Sequence, residues 1–310
     1  MWKIIRWFAV ASLVWTAGYI HNRYLDPEVN WIKTIYEEKI ERSSQIKESK
    51  RILIVGGSGT HFGIDALQIE QQVGIPVVNM GLHAGLGLNT ILASVASEIR
   101  PGDIVLLIPE YGLLADDGTG YFSSMFGAAV SQPGLGGFGV EQRAKEVMLM
   151  GVPGSDRIVQ SIKRLQENLF AHFSENTSST KPDGQYQTNL DQRGSPMILP
   201  SGSSTPDSLK VEISEHSLKR LNVFHQDVEQ AGGILVFGLP WILSKNDDQS
   251  VEAAQTVISA LNEIAPVIYD QDLNLKSDPS LFGDTIYHLS PTGRKIRSSE
   301  IVNQLQSIIN

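Results

Sequence analysis

The run Ile52-Leu53-Ile54-Val55-Gly56-Gly57-Ser58-Gly59-Thr60 constrains the fold more than any other part of the chain. Four consecutive branched aliphatic residues suit a strand covered on both faces, as in parallel sheets flanked by helices. The glycines that follow permit backbone angles closed to residues with a side chain. They carry one serine, Ser58, towards a helix predicted over 63–72, whose N-terminal N–H groups and positive dipole end face it. Two familiar readings fail on spacing. A dinucleotide fingerprint needs G-x-G-x-x-G, but Phe62 stands at the third glycine position, and the next strand ends at Asn79 with no acid for a ribose. A nucleophile elbow needs G-x-S-x-G, and Thr60 takes the place of its second glycine. An ordinary turn with an exposed serine stays open, since turns favour both residue types.

The far end of the chain bears on that choice. Asp284-Thr285-Ile286-Tyr287-His288-Leu289-Ser290-Pro291 puts an acid and a histidine in one short loop, just before a helix with Ser290 as N-cap and Pro291 at its first position. A serine hydroxyl is a poor nucleophile until a base takes its proton, and that base needs a carboxylate to hold its tautomer. Ser58, His288 and Asp284 supply those three roles.

With Val78-Asn79-Met80-Gly81-Leu82 between them, these blocks resemble the SGNH/GDSL hydrolase superfamily over about residues 51–310. The resemblance implies Ser58 as nucleophile, Asp284 and His288 as acid and base, and the backbone N–H groups of Ser58 and Gly81 as oxyanion donors. It implies a three-layer α/β/α fold on a mainly parallel five-stranded sheet, SGNH- or flavodoxin-like, and no cofactor. Its usual Gly-Asp-Ser reads Gly-Gly-Ser here, and the acid precedes the histidine by four positions where three is usual. Glu110, in Ile108-Pro109-Glu110-Tyr111-Gly112, stands where the family carries an oxyanion-binding asparagine. An ionised Glu110 cannot line that hole, because like charges about 4 Å apart repel by roughly 4 kcal/mol at an effective dielectric near 20. It either stays protonated as a donor or turns away to a backbone group or a sugar hydroxyl. Asn79 and Asn89 are the amides available in its stead, and Asn89 also suits a helix cap. His61 and His83 lie beside the blocks, placed to touch substrate. Neither has neighbours at metal-ligand spacing except Asp65, four residues after His61, so no metal is expected.

Upstream, Lys3 and Arg6 precede an uncharged run over 7–20, fourteen residues against the roughly 20 of a full span. Residues 1–24 are expected to be a signal anchor with the following domain outside the cytoplasm; a cleaved signal peptide and an apolar helix packed on the domain are the other readings. Residues 25–50 read as a helical stalk or a packed helix. Strands are expected over 51–55, 76–80, 104–109, 233–240 and 266–270, alternating with helices over 63–72, 88–98, 141–150, 155–173, 212–230 and 251–263. The glycine-rich stretch 111–140 reads as a lid or a long loop, and 175–206 as an exposed polar insertion.

A chain of 310 residues with 41% hydrophobic content supports one sizeable core, here over 51–310 behind the anchor. A net charge of −9 argues against nucleic acid as a partner, and the absence of cysteine excludes disulfides and thiolate metal sites. The expected activity is serine ester hydrolysis or O-acyl transfer on acyl groups of envelope or secreted polysaccharide, the polysaccharide by analogy with related envelope proteins. The alternative is a non-catalytic SGNH-like carbohydrate-binding or scaffold domain, with polysaccharide assembly proteins as partners.

Overall fold

The computed structural model describes residues 2–115, 117–153, 157–159, 161–163 and 189–309. The chain divides into two compact units, one of Met1–Thr34 with Phe122–Gln187 and one of Ile35–Tyr121 with Thr188–Asn310. Ser58, Asp284 and His288 all belong to the second.

The first unit begins with α1 (Trp2–Ile20), a π-turn at His21–Leu25 and the start of α2 (Pro27–Gln45). Most of α1 is exposed, including Trp2, Phe8 and Leu13, each more than 70% accessible. No helix among the described residues is long and apolar enough to cross a membrane. The expected N-terminal membrane helix is therefore not confirmed as a span. The physical reason is length: Lys3 and Arg6 confine the uncharged part to 7–20, which rises about 21 Å against a hydrocarbon core of about 30 Å.

The second unit is built on a sheet. After the later turns of α2 come β1 (Ile52–Gly56), α3 (Ser58–Gly63), α4 (Ala66–Val73), β2 (Val77–Asn79), α5 (Gly87–Ala96) and β3 (Ile104–Ile108). The chain visits the first unit with α6 (Ser123–Ala129) and α7 (Val140–Leu149). It returns as α8 (Glu215–Gln230), β4 (Ile234–Gly238), β5 (Ile242–Leu243), α9 (Asp248–Asn262), β6 (Val267–Ile268), β7 (Leu275–Lys276) and α10 (Pro291–Ile309). Five strands pair in parallel in the order β2-β1-β3-β4-β6, and β5 and β7 form a separate parallel pair. The fold is thus mixed α/β with a five-stranded parallel sheet. The β5–β7 pair was not legible in the sequence, because two residues are too few to show a periodicity.

Strand alternation sends Ile52, Ile54, Ile104, Leu106 and Val236 to one face, where they join Ile69, Ile301, Val302 and Leu305 of α4 and α10 in one buried cluster. The equally buried Leu53, Val55, Val105, Leu107 and Phe237 project to the opposite face, where α5 packs on β1 and α8 on β4. Each such fully buried side chain contributes about 1.5–3 kcal/mol relative to exposure.

Three expectations change in detail. From Ile35 onward α2 buries Ile35, Tyr36, Lys39 and Ser43, so this part is a packed helix rather than a stalk. The stretch 111–140 is not a plain loop, since it contains a 3-10 turn at Tyr111–Leu114 and the wholly buried α6. Of the expected insertion, 175–188 lies outside the described residues, as does most of the helix expected over 155–173. Residues after it are packed: Arg193 O accepts from Asn79 N–H at 2.9 Å and Ser195 Oγ from Ala66 N–H at 2.9 Å. This segment covers the outer edge of β2, whose backbone groups would otherwise be open to pairing.

Candidate active site

The strand order reverses direction at β1, and the crevice beyond the carboxyl ends of β1 and β3 is where such sheets bind ligands. Ser58 stands there as the first residue of α3, directly after β1 and partly exposed. The single helix expected over 63–72 is two helices, because Asp65 starts a new one by accepting from Gln68 N–H at 3.0 Å. Ser58 therefore sits on a helical turn. Glu110, just past β3, reaches across to this turn: Oε2 accepts from Gly57 N–H at 3.0 Å and Oε1 from Gly59 N–H at 2.7 Å. A Cβ on Gly57 would lie 2.5 Å from each carboxylate oxygen, so a side chain before Ser58 would displace Glu110 from this position. Burial pushes the Glu110 carboxyl above its ordinary pKa, and the bonds from Gly59 and Gly57 pull it back. The carboxylate has turned to the backbone. It takes the N–H groups on either side of Ser58.

Behind the turn lies a second layer of buried polar groups. Asn79 Nδ2 donates to the carbonyls of Thr60 (3.2 Å), His61 (3.1 Å) and Ile64 (3.2 Å), so it holds the end of α3. Its Oδ1 accepts from Gly81 N–H at 2.9 Å. Lys39, fully buried on α2, donates to Gly81 O at 2.6 Å and Asn79 Oδ1 at 3.3 Å, and its Nζ lies 3.0 Å from His61 Nδ1. Burial lowers the pKa of both Lys39 and His61 well below the ordinary values. The residues expected to contact substrate are thus redistributed. Gly81 packs on the backbone of Thr60 and His61 with its N–H occupied, His61 and Asn79 are fully buried, and all three brace α3. Asn89 is also buried, its Nδ2 bonded to Asp117 O at 3.2 Å, and His83 Nδ1 accepts from Gly85 N–H at 2.9 Å.

The acid and base meet in their loop. His288 Nδ1 lies 2.8 Å from Asp284 Oδ1, which makes Nδ1 the protonated nitrogen and leaves the Nε2 lone pair as a base. The loop is closed by Gly283 N–H to His288 O at 2.7 Å and by Thr285 Oγ1, which accepts from Tyr287 N–H (3.2 Å) and His288 N–H (3.0 Å). Burial pulls the His288 pKa below its ordinary value, and the hydrogen bond and charge of Asp284 oppose that shift. The His288 ring lies 4.7 Å from the ring of Phe62 on α3. Phe62 is four residues after Ser58, hence on the same helix face one turn along. Among the described residues Ser58 Oγ has no hydrogen-bond partner, and such bonds commonly form only when substrate is bound.

Ser58, Glu110 and Tyr287 line a cleft of about 300 Å³ with Tyr121, Leu113 and several glycines. Tyr287 and Lys39 were missed in the sequence. Tyr287 was signalled only by adjacency to His288; Lys39 lies on α2 with no local motif to mark it. Among the described residues no group of three or more His, Asp or Glu side chains is placed to hold a metal ion. No protein-family model matches this chain and no curated protein matches it, so the site is read from its own geometry.

Proposed function

We propose that this chain is an SGNH-type serine ester hydrolase or O-acyltransferase. The observation that carries the reading is the Asp284–His288 pair at 2.8 Å, whose His288 ring lies tilted 4.7 Å from that of Phe62, one helical turn from Ser58. The parallel order β2-β1-β3-β4-β6 supports the flavodoxin-like, SGNH-type arrangement. Ser58 Oγ attacks the ester carbonyl carbon while His288 Nε2 takes the hydroxyl proton, and Asp284 holds the imidazolium that forms. The Ser58 N–H stabilises the oxyanion. As the tetrahedral intermediate collapses, His288 returns that proton to the departing alkoxide and an acyl-serine remains. Water, or an acceptor hydroxyl in the transfer reaction, then attacks the acyl carbon. His288 takes the proton of the attacking group and gives it back to Ser58 Oγ.

The substrate class is an acylated carbohydrate of the envelope or of a secreted polysaccharide, an analogy rather than chemistry read from residues. In this reading the catalytic domain lies outside the cytoplasm and is held at the membrane by α1, whose residues 7–20 carry no charge and leave large apolar side chains such as Phe8 and Leu13 exposed. Removing 1–24 then releases a soluble protein, and a reporter fused after Asn310 is active only outside the cytoplasm; cytoplasmic activity would refute the placement.

One observation favours a non-catalytic reading. Gly81 N–H is already bound to Asn79 Oδ1 and so offers nothing to an oxyanion. A scaffold or carbohydrate-binding part of a polysaccharide export or assembly complex needs no such donor. A serine-reactive fluorophosphonate separates the two: stoichiometric labelling of the full chain that disappears in Ser58→Ala supports the enzyme, and no labelling supports the scaffold.

A further inference from the structure

We propose that a small cavity between α3 and the Asp284–His288 loop binds a single halide ion, with Arg297 as its cation. The binding does not depend on the esterase reading. The cavity measures about 20 Å³ and is walled mainly by Gly59, Thr60 and Gly63 of α3, by Tyr287 and Leu289 in and just after the loop, and by Arg297 of α10. About 10–15 Å³ holds one water-sized occupant, so there is room for one small ion and for no organic ligand. Arg297 is the only charged residue among the described residues that line the space, and no acid lines it.

Arg297 has a hydrogen-bonding need that the surrounding protein leaves unmet. The residue is only 2% exposed. Its Nη2 donates to Leu239 O at 2.9 Å, but its Nη1 is buried with no hydrogen-bond acceptor among the described residues. Its ion-pair partner Glu300 brings Oε2 to 3.7 Å from Nη1, too far for a hydrogen bond, and that oxygen already accepts from Trp241 Nε1 at 3.0 Å. Buried donors are otherwise paired almost without exception. Burial also pulls the guanidinium below its ordinary pKa to about 10, against the opposing charges of Glu300 and Asp270, so the cation is under-compensated where it stands. The occupant that answers both needs accepts hydrogen bonds and carries negative charge. A halide does both, whereas a water would take the Nη1 hydrogen and leave the charge as it was. One ion there touches the turn that carries Ser58 and the loop that carries His288, and so ties together two elements far apart in sequence.

The test uses the full chain. Crystals in sodium bromide, with diffraction recorded at the bromine absorption edge, should give an anomalous peak in this cavity beside Arg297 Nη1. A water at that position, or no peak there, overturns the proposal. In solution, thermal unfolding is followed in sodium chloride, bromide and gluconate at equal ionic strength, gluconate being too large for the cavity. Tm should be about 2–4 °C higher in chloride and bromide at concentrations well above Kd. Arg297→Met should unfold at one temperature in all three salts. A wild-type Tm indifferent to the anion, or a halide effect kept in full by Arg297→Met, overturns the site. Should Arg297→Met fail to fold, the bromide map of the wild type decides alone. Fluorophosphonate labelling enters neither arm, so failure of the esterase reading and failure of the halide site are told apart.

Discussion

The Ser58 turn and the Asp284–His288 loop are the two halves of the proposed site, and they are held in opposite ways. The turn is fixed by partners distant in sequence: Glu110 on the N–H groups of Gly57 and Gly59, and Asn79 and Lys39 behind the rest of α3. The loop is fixed by its own residues, with Thr285 accepting from two backbone N–H groups and Gly283 closing on His288. Ser58 therefore inherits the rigidity of the sheet, whereas His288 depends on a local hydrogen-bonded knot that can shift without disturbing the core.

The largest test of that contrast removes the chemistry from both halves. Ser58→Ala and His288→Ala should each lower ester turnover by about 10⁴-fold or more, and the double variant should be little worse, because the pair acts as a unit. Multiplicative losses in steady-state kinetics would show that the two halves do not share a step.

Next comes Glu110→Gln. One oxygen becomes an NH₂ that opposes the N–H of Gly57 or Gly59, and a buried donor left unsatisfied costs about 1–3 kcal/mol. We expect tenfold to hundredfold slower fluorophosphonate labelling together with a lower Tm, since the turn is tied to the sheet. Labelling at the wild-type rate would show that Glu110 does not set the turn.

A smaller effect is expected in the loop. Thr285→Val removes the acceptor of the Tyr287 and His288 N–H groups, a change of about 1 kcal/mol. Labelling should slow several-fold with Tm nearly unchanged, and a Tm drop as large as that of Glu110→Gln would erase the distinction between the halves.

The smallest effect is a displacement on the pH axis. Because burial lowers the His288 pKa, the base stays neutral below the ordinary 6.5, so the acid limb of kcat/KM should lie under that value. The linkage has the same sign. A depressed folded-state pKa means that the stability associated with His288 is complete above about pH 6.5 and is lost as pH falls through the folded value. Asp284→Asn removes the charge that raises this pKa and should move the limb lower still; a move to higher pH would mean that Asp284 does not raise the His288 pKa.

Much of this was legible in the sequence. Four branched aliphatic residues in a row marked β1, and the alternation of apolar runs with helical stretches marked a parallel five-stranded sheet, because burial on both faces leaves a pattern in the chain itself. The Asp284–His288 loop was readable for the same reason: acid, base and the Ser290 cap are all within seven residues, and Ser290 Oγ does accept from Gly293 N–H at 3.2 Å. What could not be read is whatever depends on residues far apart in sequence. Nothing near Gly81 signals that its carbonyl belongs to Lys39, forty-two residues earlier, and nothing in His61 alone tells a substrate contact from a fully buried ring beside a lysine. Glu110 was recognised as a carboxylate unsuited to an oxyanion hole, but two N–H groups more than fifty residues earlier fixed where it went. Local sterics and hydrophobic periodicity are written into neighbouring residues, so the sequence determined the elements and the ends of the site. The pairing of buried polar groups is set only when the sheet brings its strands together, so the tertiary structure decided which of those groups brace the nucleophile and which face the cleft.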